Sequence, residues 1–139
     1  MEHRQINDNY RAIAEELIQA EPALAYIKDS KVKITYLESD QSKKDGKDKQ
    51  VLGECEKVAA KNRWAISCDF TITLFKNNII GMSAEQIKTL LFHELLHIDI
   101  DMGTDGEEVY NVRKHDLEDF KIIIDRFGTD WATTPKKEK

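Results

Sequence analysis

The sequence predicts an α+β domain: a small mixed or antiparallel sheet of three to four strands packed on one central helix, with N- and C-terminal helices beside it. Three observations lead there. Segments 31–37 and 64–75 alternate apolar and polar residues, the two-residue period of half-buried strands. Residues 83–98 are apolar almost all round a helix, the pattern of a helix buried at the centre of a fold. Residues 8–20 and 115–127 carry apolar residues at helical spacing. A chain of 139 residues fits a single domain, 1–139, and there is neither an internal repeat nor a domain linker.

In order along the chain, DNYRAIAEELIQA (8–20) reads as an amphipathic helix that Asn7 or Asp8 caps, with Ile13, Leu17 and Ala20 on its inner face. Pro22 breaks it, and ALAYIK continues as a short turn. In KVKITYL (31–37), Val32, Ile34 and Tyr36 point one way and the polar residues the other. Residues 38–50, ESDQSKKDGKDKQ, contain no apolar residue and are expected to form a flexible, solvated loop. VLGECEKVA (51–59) supplies a second strand. WAISCDFTITLF (64–75) supplies the clearest one, with Ile66, Cys68, Phe70, Ile72 and Leu74 on one side. NNIIG turns the chain into the central helix, which Ser83 and Gln86 open as a capping box. A glycine-containing acidic link, 99–113, is expected to be mobile. A second helix then runs from His115 through Leu117, Phe120, Ile124 and Phe127 to the C-cap Gly128, and 132–139 reads as a disordered tail.

Composition narrows the function. Hydrophobic residues make up 40% and charged residues 34% of the chain, and the net charge is −5. That acidic balance argues against nucleic acid as the main partner, since phosphate binding needs a basic face. No apolar run approaches the roughly 20 residues of a membrane span. The N-terminal stretch is amphipathic and charged, unlike a secretory signal, so a cytoplasmic location without membrane attachment is expected. Cys55 and Cys68 are not spaced as a metal-binding pair and read as small buried thiols.

The central helix poses a chemical problem. LLFHELLHI, 90–98, places His93, Glu94 and His97 among leucine, isoleucine and phenylalanine. Burying an unpaired polar group costs on the order of 2–7 kcal/mol, so three in one stretch call for a partner. Histidines four residues apart stand about 6 Å from one another along a helix, and both can reach one zinc ion. Glu94 follows the first histidine, displaced from the ligand row, where it can hold a metal-bound water as general base. A catalytic zinc usually has about three protein ligands. His3 stands near the chain end, which leaves His115 as the preferred third ligand. Asp99, Asp101, Asp105, Glu107, Glu108, Asp116, Glu118 and Asp119 compete for that place. Asp116, Glu118 and Asp119 also suit acceptors for a histidine N–H. Tyr110 and Arg113 are candidates for transition-state donors, though a structural role is the preferred reading for both.

HELLHI, then KHDLEDF, then RFG-x-x-W resembles the family of putative phage metallopeptidases, small single-domain proteins related in pattern to SprT-like and other minimal zincins. The resemblance extends over the strand-rich region upstream, from about residue 32 to Trp131. It implies a zincin-like fold, a zinc cofactor, peptide or protein substrates, and hydrolysis of peptide bonds. Carried onto this chain, it implies His93, His97 and His115 as metal ligands and Glu94 as catalytic base. No glycine stands three residues after His97, so the metzincin pattern is absent. The alternatives are a zinc-binding regulatory or structural protein without peptidase activity, and a metal-free interaction module. A strand such as 66–75 is expected to hold an extended peptide by β-addition along an exposed edge.

Overall fold

The computed structural model describes residues 3–46, 50–62 and 65–113. His115, the expected C-terminal helix and the expected tail at 132–139 lie outside the described residues. Among the described residues the architecture is α+β, with a four-stranded mixed sheet, three α-helices and a separate two-stranded hairpin.

Strand β1, Arg4–Ile6, leads into α1, Asp8–Ala20, which Asn7 caps by accepting from the Tyr10 amide at 2.9 Å. Ala14 and Leu17 form the buried stripe of α1, with Ile13 and Ile18 beside them. Ala20, expected on that face, is exposed, because the helix ends there ahead of Pro22. One short turn later comes α2, Ala25–Lys28, which buries Ile27. Strands β2, Ile34–Ser39, β3, Gly53–Lys57, and β4, Phe70–Phe75, complete the sheet in the order β1-β2-β4-β3. The β2–β4 pair is parallel, and the β1–β2 and β3–β4 pairs are antiparallel.

The expected strand at 64–75 begins only at Phe70. The Asp69 carboxylate accepts from the Lys33 amide at 2.8 Å, and its carbonyl accepts from Val58 at 2.9 Å. These bonds tie the chain ahead of Phe70 to loops rather than to a ladder, and Ile66 is exposed. Strand β4 is also interior to the sheet, between β2 and β3. Its backbone groups are committed on both sides, so it offers no edge to a peptide, contrary to expectation. Among the described residues, the edges of this sheet are β1 and β3.

Of the expected loop at 38–50, Glu38 and Ser39 close β2, and Lys44 pairs with Gln50 in an isolated bridge. Lys43 lies against the outer face of the sheet. Its ammonium sits 5.7 Å from the centre of the Phe75 ring, and the Arg4 guanidinium sits 5.9 Å from the same ring. Both cations also meet the Glu54 carboxylate. This charged cover explains why Thr73 and Phe75 are as buried as Phe70, Ile72 and Leu74 on the other face.

The inner face packs on α1 and on α3, Ala84–Leu95, with Tyr36, Phe70, Ile72 and Leu74 against Leu90, Leu91 and Leu95 in one core. The capping box of α3 is present: Ser83 accepts from the Gln86 amide at 3.2 Å, and Gln86 returns a bond to the Ser83 amide at 2.8 Å. The helix stops at Leu95, three residues earlier than periodicity predicts. From there Ile98–Met102 forms β5, which pairs antiparallel with β6, Glu108–Val112. The segment expected as a mobile link is therefore a hairpin. Its strands IDIDM and EVYNV alternate with period two around a glycine turn, with Gly106 at φ +84°.

Candidate metal site

Helix α3 delivers His93 and Glu94 from its last turn, and both are buried. His97 stands just beyond the C-cap Leu96, outside the helix, yet its ring still turns toward His93. The two ring centres are 5.2 Å apart and inclined at 70°. His93 Nε2 lies 4.0 Å from Glu94 Oε2. One donor atom from each of His93, Glu94 and His97 lies within 4.8 Å of the others, so the three could hold a metal ion. A helix C-terminus carries partial negative charge, which favours a cation at this end of α3.

His97 Nδ1 lies 2.7 Å from the Arg113 carbonyl oxygen. A carbonyl only accepts, so Nδ1 carries a proton, and in the neutral ring Nε2 keeps its lone pair. That is the form in which an imidazole binds a metal. The Arg113 amide in turn donates to the His97 carbonyl at 2.5 Å, closing a two-bond clamp between the turn after α3 and the end of β6.

Strand β3 forms one wall. A Cβ on Gly53 would stand 3.4 Å from Glu94 Oε2 and 2.7 Å from Leu74 Cδ2, so only glycine lets the strand lie this close. Two residues on, burial pushes the Cys55 thiol well above the ordinary cysteine range, and the charge of Glu94 pushes it further. Both effects favour the neutral thiol at Cys55. Neither Gly53 nor this closeness to Glu94 is signalled by sequence spacing. What could have drawn attention is a glycine inside a strand pattern, which marks close approach.

Among the described residues, no other trio of histidine, cysteine and acidic side chains converges in this way. Asp99, Asp101, Asp105, Glu107 and Glu108 sit on the hairpin and do not join His93 and His97. His115, Asp116, Glu118 and Asp119 lie outside the described residues. The Tyr110 hydroxyl donates to Glu108 Oε1 at 2.5 Å, and the Arg113 guanidinium lies 5.4 Å from the centre of the Tyr26 ring. A cavity of about 420 Å³ opens elsewhere, lined by Lys31, Lys33, Asp69, Glu108 and Tyr110 among others, and shares no residue with the histidine cluster.

The family model described as putative phage metallopeptidase matches residues 3–137. The chain belongs to this family. The match runs over β1 at one end and past the hairpin at the other, so it includes every element that builds the cluster. No curated protein and no solved structure matches the chain. Membership in a phage metallopeptidase family implies a metal, and His93, Glu94 and His97 are the described residues that could bind one. No helix among the described residues is long and apolar enough to cross a membrane.

Proposed function

We propose that this member of the phage metallopeptidase family is a zinc-dependent peptidase of zincin-like fold. His93, His97 and His115 bind the metal in this reading, and Glu94 is the general base. The observation that carries it is the convergence of two histidines on one buried carboxylate, with the His97 tautomer set by the Arg113 carbonyl. Two imidazoles beside a carboxylate, on a cation-favouring helix end, suit a borderline divalent ion such as zinc.

Zinc, when bound, supplies Lewis-acid polarisation of the scissile carbonyl and lowers the pKa of a water molecule toward about 7. The rest falls to the chain. Glu94 takes a proton from the attacking water and passes it to the leaving amine. Its burial at 3% exposure keeps bulk water from competing for that carboxylate. Strand β3, at the sheet edge and against Glu94, is the place where an extended peptide adds as a further strand. The substrate is then a peptide or a flexible protein segment, met in the cytoplasm, with neither nucleic acid nor membrane as partner.

The experiment is zinc content and peptide cleavage measured on the same preparations of wild type and Glu94→Gln. Zinc in both with cleavage only in wild type supports the reading. Zinc in both with equal cleavage removes the general-base role from Glu94, and zinc in both with cleavage in neither moves the protein to a zinc-binding regulatory or structural role.

A further inference from the structure

Because His97 stands past the end of α3, no helical ladder fixes its ring. Other contacts hold the turn. The Tyr26 hydroxyl, carried on α2, donates to the Ile98 carbonyl at 2.6 Å and has the Leu95 carbonyl at 3.5 Å. These two carbonyls bracket Leu96 and His97. The same tyrosine ring lies under the Arg113 guanidinium, at 5.4 Å from its centre. Arg113 is also the residue whose carbonyl receives the His97 ring proton and whose amide donates to the His97 carbonyl. Tyr26 therefore touches the chain on one side of His97 and the residue that orients its ring on the other.

We infer that Tyr26 and Arg113 are positioning residues of the metal site, which hold His97 in its Nδ1–H form and thereby set the affinity for zinc. The inference deepens the proposed function and rests on His97 being a ligand. Its reasoning is geometric. Without the hydroxyl, the Ile98 carbonyl loses a short bond and the turn is tied down less firmly. Without the guanidinium on the ring, the Arg113 backbone keeps its amide bond to His97 but loses the contact with Tyr26, and its carbonyl is held against Nδ1 less firmly. An imidazole without a fixed acceptor samples both tautomers, and in one of them Nε2 carries the proton and cannot bind metal. Removing a partner that orients a ligand typically weakens metal binding by about 10–100-fold.

Two variants separate positioning from packing. Tyr26→Phe keeps the ring and removes the hydroxyl. Arg113→Met removes the guanidinium and keeps the backbone carbonyl. Two readouts are needed: the zinc dissociation constant by competition with a chromophoric chelator, and the His97 tautomer in metal-free protein by long-range proton–nitrogen NMR. We expect the Nδ1–H form in wild type. In each variant we expect a mixture of tautomers and zinc binding weaker by on the order of 10-fold. An unchanged tautomer overturns the inference, even where affinity falls, because the effect is then packing alone. A shifted tautomer with affinity within twofold of wild type overturns it too. If wild type binds no zinc, the proposed function fails, and the NMR result alone decides whether Tyr26 and Arg113 orient His97. If Tyr26→Phe does not fold, Arg113→Met decides.

Discussion

His97 and Arg113 are joined twice, by a ring nitrogen to a carbonyl at 2.7 Å and by an amide to a carbonyl at 2.5 Å. Sixteen residues separate them in sequence, and the hairpin β5–β6 is what returns the chain. The expected mobile link is thus a structural part of the site. It brings an acceptor to the one histidine that the helix does not hold.

If His93 and His97 bind zinc, replacing either with alanine removes most of the affinity. Metal binding stabilises the folded chain by mass action, about 2.7 kcal/mol when free metal is 100 times Kd. Chelation should therefore lower the Tm of wild type by on the order of 10 °C, reversibly, and leave His97→Ala unmoved. Scanning calorimetry with and without chelator checks this. A shift of equal size in His97→Ala would place the metal elsewhere. His115→Ala in the same assay tests the third ligand.

Glu94→Gln is nearly isosteric and retains a carbonyl oxygen, but it cannot take up a proton at pH 7. Loss of general-base help should reduce kcat by about 10²–10⁴-fold with little change in zinc content. Steady-state cleavage of a fluorogenic peptide library, scored beside metal analysis, measures it. A drop smaller than tenfold would assign the proton transfer to another group.

Much of this was legible in the residues. HELLH and its capping box located the helix and the trio, because apolar surroundings make a chance His-Glu-His costly. The end of the helix was not legible. Ile98 fits the helical stripe as well as a strand, and only pairing with Val112 decides between the two. Strand β4 was legible as a strand but not as an interior one, since sheet order is set by contacts between distant segments. Its outward residues Thr73 and Phe75 look solvent-facing in sequence and are covered by Arg4 and Lys43 instead. Tyr26 had no pattern at all, and Gly53 only that of a glycine inside a strand, because their roles come from approach across the fold.

Gly53 should be intolerant of any side chain. A Cβ there would meet Leu74 Cδ2 at 2.7 Å and the Thr73 carbonyl at 3.1 Å, one buried in the core and the other in the β-ladder. Gly53→Ala is expected to cost about 1–3 kcal/mol, the range for overpacking. Because Glu94 Oε2 is the next atom met, the variant should lose kcat beyond what the lost stability explains. Urea denaturation and cleavage assays on the same samples test both halves. Full stability would show that β3 can shift outward freely, and unaltered kcat would remove β3 from the wall of the site.

The alkaline limb of stability offers a test of Tyr26 that involves no metal. Burial pushes its hydroxyl up to about 12, with the Arg113 charge opposing and the Asp99 charge adding. An unfolded tyrosine titrates near 10, at about its reference pKa. The folded state therefore holds this proton more tightly, and its contribution is complete below pH 10. It is lost as pH rises from about 10 through 12, because the unfolded chain then releases the proton first. Tyr10 and Tyr36, also raised by burial, add slopes of the same sign. Tyr26→Phe should consequently be less stable than wild type at pH 8 and close part of that gap by pH 11. Urea midpoints across this range decide it. A gap that stays constant would mean that the hydroxyl is not held as a donor to Ile98, and the turn that carries His97 would need another anchor.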